Sequence, residues 1–183
     1  IENYTFTYLT PKEVTDLNVN VDDVTIGINE YIKLDVTTTP DQVDNRYLTY
    51  RSSDYEVASV DENGYIYANK SGNAIITVSY INEEKGIVIT KEVKVKVIIK
   101  VTSVEVEELV IVKQNETHKL EVTFEPLDAV DAIFTYESSD ESVATVDEFG
   151  VITALKTGTT IITIKCGNFV KYPFVSVIGS DYE

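Results

Sequence analysis

Carboxylates dominate the chemistry this chain can offer: 31 Asp+Glu stand against 15 Lys+Arg, a net charge of −16. Two of them recur at matched places, Asp54 with Asp140 and Asp61 with Asp147. Clustered carboxylates suit calcium, a hard cation that prefers oxygen ligands. The spacing is not that of an EF-hand loop, in which alternating oxygens precede an invariant glycine. Each Asp instead stands a fixed distance before Gly64 or Gly150, where a carboxylate closes a turn by accepting a backbone N–H. Turn capping is the expected role, with calcium as the rival. Asp22–Asp23 and Glu107–Glu108 read as solvated loop charge. So many acids always offer a pair for glycoside hydrolysis, yet nothing in the pattern converges two of them on a pocket.

Nucleophiles and metal ligands are scarce. The chain has one His and one Cys, so an internal disulfide and a cysteine-rich zinc site are impossible, and a histidine-based metal site or a Ser/His/Asp triad has almost nothing to draw on. His118 lies two residues before Leu120, on the inward side of its strand, and Ile32 holds the matching place in the first half; it reads as filler at the core edge. Cys166 follows Ile162 and Ile164 at period two and points inward as a small buried hydrophobe. Ser52 and Ser138 lie outside any GxSxG elbow. The lysines of 91–100 read as a solvated face guarding an edge strand, rather than as one side of a Lys–Asn crosslink. Asn3, Asn69 and Asn115 begin three glycosylation sequons, a short and common pattern. Tyr65 and Tyr67 alternate on a strand and are candidates for an aromatic glycan platform. The second half has Val151 and Thr153 there, so such a site belongs to the first half alone. No catalytic residue, metal ligand or cofactor is expected.

These residues are positioned by a repeat. Segments 50–78 and 136–164 align without a gap at an offset of 86, with 17 of 29 positions identical. Pro40 pairs with Pro126 and Leu34 with Leu120 at the same offset. Upstream, VNVDDVTI at 19–26 matches VEVEELVI at 104–111 at an offset of 85, which implies one inserted residue near Asn115. A unit of about 85 residues is long enough to be a domain rather than a solenoid repeat. The expected organisation is an N-terminal extension, or a strand of a preceding module, over 1–15, one domain over 16–100 and a second over 101–183.

Apolar residues alternate with polar ones, as in Val93, Val95, Val97 and Ile99, in Ile32, Leu34 and Val36, and in Leu120, Val122 and Phe124. Such alternation predicts strands buried on one side, and no sustained helical stripe appears. Short strands with frequent turn signals predict an all-β sandwich or barrel. Gly64 and Gly150, in DENG and DEFG, read as turn glycines at positive φ. The SSD at 52–54 and 138–140 reads as the cap of a single helical turn, while 41–46 and 128–133 read as short helical turns or loops.

At these motifs the sequence resembles the bacterial immunoglobulin-like domain, group 2 (Big_2). The shared pattern is an aromatic (Tyr50, Tyr136), SSD, VAxVD (Val57–Asp61, Val143–Asp147), the turn glycine, an apolar-x-Ala strand (Ile66–Ala68, Ile152–Ala154), KxG and an Ile-Thr strand (Ile76–Thr77, Ile162–Thr163). Tyr replaces the Trp that often precedes SSD. The resemblance covers about residues 16–179. It implies two tandem Ig-like β-sandwich domains without disulfides, of the kind found in bacterial surface adhesins, in phage virion proteins and beside catalytic domains of secreted enzymes.

Composition agrees with that class. With 43% hydrophobic and 25% charged residues the chain is globular, its acidity opposes nucleic acid, and it lacks the run of about 18 apolar residues needed for a spanning helix. It begins at Ile1 with no leader pattern and reads as a piece of a longer polypeptide; the family resemblance implies an extracellular or cell-surface location. The expected function is a non-enzymatic spacer or adhesive segment. The alternatives are a phage virion module binding the host surface and an accessory glycan-binding module of a secreted hydrolase. Its partners are other modules of the same chain and, for adhesion, a host protein or cell-surface glycan. The junction KVIIKVTSVEV has neither Gly nor Pro, so the expected link is stiff.

Overall fold

The computed structural model describes residues 13–41 and 45–180. The expectations for residues 1–12 and for Asn3, and for 42–44 of the turn at 41–46, lie outside the described residues. The chain divides into two compact units, Ile1–Ile98 and Ile99–Glu183, and both are all-β.

The first module runs β1 (Asp16–Val19), β2 (Asp23–Gly27), β3 (Tyr31–Lys33), β4 (Val36–Thr39), a 3-10 turn at Asn45–Tyr47, β5 (Leu48–Ser52), β6 (Ala58–Val60), β7 (Tyr65–Ala68), β8 (Gly72–Asn82) and β9 (Ile87–Ile98). One sheet has the order β2-β9-β8-β5, with β2 and β9 parallel and the other neighbours antiparallel; a second has the order β3-β7-β6, and β1 pairs with β4. The second module repeats this with β10 (Ser103–Val106), β11 (Leu109–Lys113), β12 (Thr117–Lys119), β13 (Val122–Glu125), β14 (Thr135–Ser138), β15 (Ala144–Val146), β16 (Val151–Ala154), β17 (Gly158–Cys166), β18 (Phe169–Lys171) and β19 (Phe174–Ile178). Its larger sheet is β11-β19-β17-β14, again with a parallel β11–β19 pair. Where β9 is continuous, the second module has β18 and β19 separated at Tyr172–Pro173, since proline has no N–H for the ladder.

Period-two alternation builds both cores. Val93, Val95 and Val97 of β9 are buried, and the intervening Lys94 and Lys96 are exposed. They meet Ile76 and Val78 of β8, Ile66 and Ala58 of the smaller sheet, and Leu17 and Leu34. Ile162, Ile164, Ile152, Ala144, Val175 and Leu120 form the second core. Two expectations need correction here. Ile99 lies beyond the end of β9 and does not extend its buried face. From Lys94 onward β9 is also an interior strand, flanked by β2 and β8, so Lys94 and Lys96 guard no edge.

The turn glycines have positive φ, +81° at Gly64 and +76° at Gly150, as the sequence predicts. A Cβ there would lie 3.2 Å from the Tyr50 ring and 2.9 Å from that of Tyr136. The motif's aromatic and its glycine are therefore one contact: the ring covers the turn.

The offset of 85 near the N-terminus is wrong. Asn29 and Asn115 share a positive φ and donate to Ala68 and Ala154, an offset of 86 that leaves no insertion near Asn115. The difference lies earlier. Thr15 and Thr102, which donate to Thr39 and Glu125, stand 87 apart, so the β10–β11 connection is one residue shorter than β1–β2. An offset of 85 would match buried Ile26 with exposed Ile111, because a one-residue slip turns every side chain to the other face.

The expected turn at 128–133 is an irregular loop, with Ala129 N–H donating to the Pro126 carbonyl. This loop holds the chain just after β9. Val130 N–H donates to the Ile99 carbonyl, Val101 N–H to Asp131 Oδ1 at 2.7 Å, and Thr102 N–H to the Glu125 carbonyl.

Candidate functional site

The repeated aspartates serve the backbone. Asp61 Oδ1 accepts the N–H of Asn63 at 3.0 Å and of Tyr65 at 2.8 Å, and Asp147 Oδ1 accepts those of Phe149 and Val151. Asp54 Oδ1 accepts from Glu56 and Val57, and Asp140 Oδ1 from Ser142. The Tyr65 N–H is the largest influence holding the Asp61 carboxyl below the ordinary range; Ser142 does the same for Asp140. Among the described residues no group of three or more His, Cys, Asp or Glu is placed to hold a metal ion. The SSD serine reaches further than a cap. Ser53 Oγ accepts the Ile75 N–H, and Ser139 Oγ that of Ile161, tying the turn to β8 or β17.

Cys166 is buried, its Sγ 3.8 Å from the Asp131 carbonyl, and burial pushes its thiol up, away from the reactive thiolate. His118 is half-buried at the core edge, but more than filler: its Nε2 lies 2.8 Å from Glu107 Oε1, which also accepts the Glu121 N–H at 2.8 Å. Glu107 is thus a brace and not solvated charge. Asn20 does the corresponding work in the first module, its Oδ1 accepting the Asp35 N–H. Asp22, Asp23 and Glu108 are exposed, and Asp23 is 3.8 Å from Lys94. Asn69 of the sequon Asn69–Ser71 donates to the Tyr55 carbonyl and to Ser59 Oγ.

The sheet β3-β7-β6 carries the exposed aromatics. Tyr31 pairs in register with Tyr67, and Tyr67 with Ser59; Lys33 pairs with Tyr65. The alternation of strands sends all of these to the outward face. Tyr65 and Tyr67 are brought together as the sequence suggests, their ring centroids 6.5 Å apart, and Tyr31 completes a triangle at 6.1 Å from each. Sequence reasoning missed Tyr31; the signal was there in Tyr31-Ile32-Lys33, an outward–inward–outward triplet facing β7. Lys33 Nζ sits 5.6 Å from the Tyr65 centroid. Asp61 Oδ2 faces the Tyr67 hydroxyl at 3.4 Å. Partial desolvation, then the Asp61 charge, raises the Tyr67 phenol, which stays a donor.

The larger sheet presents a different outward face in each module. In the first, Asp23, Lys94 and Ile75 form one row, and Thr25, Lys96 and Asn73 the next, around a shallow depression of about 570 Å³. In the second, the same rows read Leu109, Phe174, Ile161 and Ile111, Ser176, Thr159.

Residues 13–88 and 100–171 match the family model described as bacterial Ig-like domain (group 2). An uncharacterized protein of Clostridium acetobutylicum is 30% identical over 150 residues, which are 81% of this chain and 15% of that protein. The A type blood N-acetyl-alpha-D-galactosamine deacetylase of Flavonifractor plautii is 55% identical over 40 residues, 22% of this chain and 5% of that one. The chain therefore spans a small part of the length of both relatives. Among solved structures, extracellular domains 3–5 of Drosophila OTK superpose with a TM-score of 0.50 at 13% identity, over 91% of this chain and 63% of that one. Domains 4 and 5 of the S-layer protein SbsC give a TM-score of 0.42 at 22% identity, over 91% and 100%.

Proposed function

The chain belongs to the bacterial Ig-like domain (group 2) family, and from that premise we propose that it is a non-catalytic, force-bearing spacer within a longer extracytoplasmic bacterial protein. One observation carries this reading: in each module the first strand of the larger sheet lies parallel to the last, β2 along β9 and β11 along β19, over five register pairs each. The chain enters ahead of β2 or β11 and leaves after β9 or β19. Tension along the chain then slides two hydrogen-bonded strands past one another, loading all their bonds together instead of one at a time. The chemistry of the rest agrees, since the repeated carboxylates cap turns and the one thiol is packed away.

The link supports the same role. Ile99, Val101 and Thr102 hydrogen-bond to the second module's own backbone and Asp131, so the start of that module is anchored to its own fold. A second reading, an accessory module of a secreted glycan-active enzyme, draws on the 40-residue match to the Flavonifractor deacetylase; the domains flanking this segment in the full-length chain separate the two.

Single-molecule pulling on the tandem tests the proposal. The expected record has two abrupt unfolding events, each releasing roughly 3.3–3.6 Å per unfolded residue. Smooth, low-force extension, in which strands peel away singly, would overturn the force-bearing reading.

A further inference from the structure

We propose that Tyr31, Tyr65 and Tyr67 form a binding site for a neutral glycan on the outward face of the β3-β7-β6 sheet, with Lys33 and Asp61 supplying the polar contacts. The fold does not require these rings. Tyr31 is 67% exposed and Tyr67 41%, and the second module builds the same three strands with Thr117, Val151 and Thr153 in their places. Three large aromatics gathered on one exposed face mark an interaction surface more often than a packing need.

The geometry selects the ligand. A pyranose offers an apolar C–H face and a rim of hydroxyls, and this site offers aromatic faces with an acceptor and a donor beside them. Asp61 Oδ1 is held by two backbone N–H groups, which turns Oδ2 toward the Tyr67 hydroxyl. Lys33 stands over Tyr65. The interplanar angles are 58°, 37° and 32°, so the rings are tilted to one another and form no single flat platform. That arrangement suits a single sugar residue laid against the tilted faces, and offers no flat row for an extended crystalline chain. An acidic polysaccharide would meet both the Asp61 carboxylate and a chain of net charge −16. The site stands apart from the spacer role, because no tyrosine of the trio lies in the parallel strands that bear load.

The test uses the intact 183-residue chain on a printed array of neutral and acidic glycans, followed by calorimetric titration with the strongest neutral binder. The expected result is binding to neutral glycans with one site per chain. Tyr31→Ala and Tyr67→Ala, both at exposed positions, should each weaken it about tenfold with unchanged melting. The second module already carries Lys119, Asp147 and Thr145 where the first has Lys33, Asp61 and Ser59. Thr117→Tyr/Val151→Tyr/Thr153→Tyr should therefore raise the stoichiometry to two. No binding to any neutral glycan would overturn the proposal, as would binding that survives in the Tyr31→Ala/Tyr67→Ala double variant. Capture of a proline-rich peptide in place of glycans would overturn it in favour of a polyproline ligand.

Discussion

On the outward face of the larger sheet, the first module aligns Asp23, Lys94 and Ile75, where the second aligns Leu109, Phe174 and Ile161. On the smaller sheet the contrast reverses: Tyr31, Tyr65 and Tyr67 stand against Thr117, Val151 and Thr153. Inward positions diverge less: Tyr80 stands where the second module has Cys166 and Ala74 where it has Thr160, all four buried, but the centre of each core is the same. Ile66 and Ile152, Ala58 and Ala144, Ile76 and Ile162 are identical in type and fully buried. A position facing the core answers to packing, and a turn position to backbone geometry, and at the centre of each core and in the turns both demands are the same in each copy. An outward position answers only to water and to whatever binds there. The faces that differ are thus where the two modules are free to take separate work, and the tyrosine face is the clearest difference.

The sharpest way to break this comparison is to cut one core at a time. Ile76→Ala and Ile162→Ala each remove a side chain with no exposed surface, which costs about 2–5 kcal/mol. The two cores are separate clusters, so calorimetry of the intact chain should show one transition falling while the other stays. A joint fall would mean that the modules do not melt as independent units.

Turn glycines come next. Gly64→Ala and Gly150→Ala force a side chain into left-handed backbone, a strain of about 1–3 kcal/mol. The added Cβ would approach the Tyr136 ring more closely than the Tyr50 ring, at 2.9 Å against 3.2 Å, so the Gly150 variant should lose more. Equal losses would show that backbone strain alone sets the cost.

What the sequence made legible follows the same division. Period two located the buried faces of β9 and β17, because burial on one side leaves a direct trace in residue type. The turn glycines and their aspartates were readable because each motif is local. Register between copies was not: the β1 and β10 segments are short apolar–polar alternations that align almost as well one residue out, and their pairing with β4 and β13 fixes them. Strand order was invisible for a similar reason, and Lys94 and Lys96 of β9 looked like an edge because alternation reports faces, not neighbours. Tyr31 and Glu107 were missed because each acts across strands distant in sequence.

Glu107 gives a smaller, pairwise test. Its carboxylate accepts the Glu121 N–H and meets His118, whereas Asn20 is bonded to the Asp35 N–H. Each hydrogen bond of this kind contributes about 1 kcal/mol. Glu107→Ala should lower the second module's transition by more than Asn20→Ala lowers the first's. His118→Ile, which installs the first module's residue, should leave the Glu121 contact standing and cost less than Glu107→Ala.

Acid should affect both modules in the same direction. Asp61 and Asp140 have carboxyls held below their ordinary range in the folded state. Their contribution to stability is therefore full above the unfolded pKa and is lost as pH falls through the folded one. Melting followed from neutral to strongly acidic pH should show a decline that Asp61→Asn flattens for the first module and Asp140→Asn for the second. A decline untouched by either variant would place the acid sensitivity in other carboxylates.

The smallest expected effect is electrostatic and separates the modules by charge alone. Residues 14–100 carry nine Lys+Arg and 14 Asp+Glu, a net of −5, while 101–183 carry five and 15, a net of −10. Like charges on a compact surface repel, and added salt screens that repulsion over about 10 Å at 0.1 M. Sodium chloride should raise the second module's transition more than the first's, by tenths of a kcal/mol to about 1 kcal/mol. The Ile76→Ala variant identifies which transition belongs to the first module. Cys166 supplies an independent reading of the second, since its buried thiol, at the end of β17 against the Asp131 carbonyl, reacts with an alkylating agent when that end of the module opens, and the reaction rate follows the open population. Salt should slow labelling of Cys166 in step with the rise of the second transition. Equal shifts in both transitions, or labelling indifferent to salt, would mean that the extra acids of the second module lie too far apart to repel, and that its stability is set by packing alone.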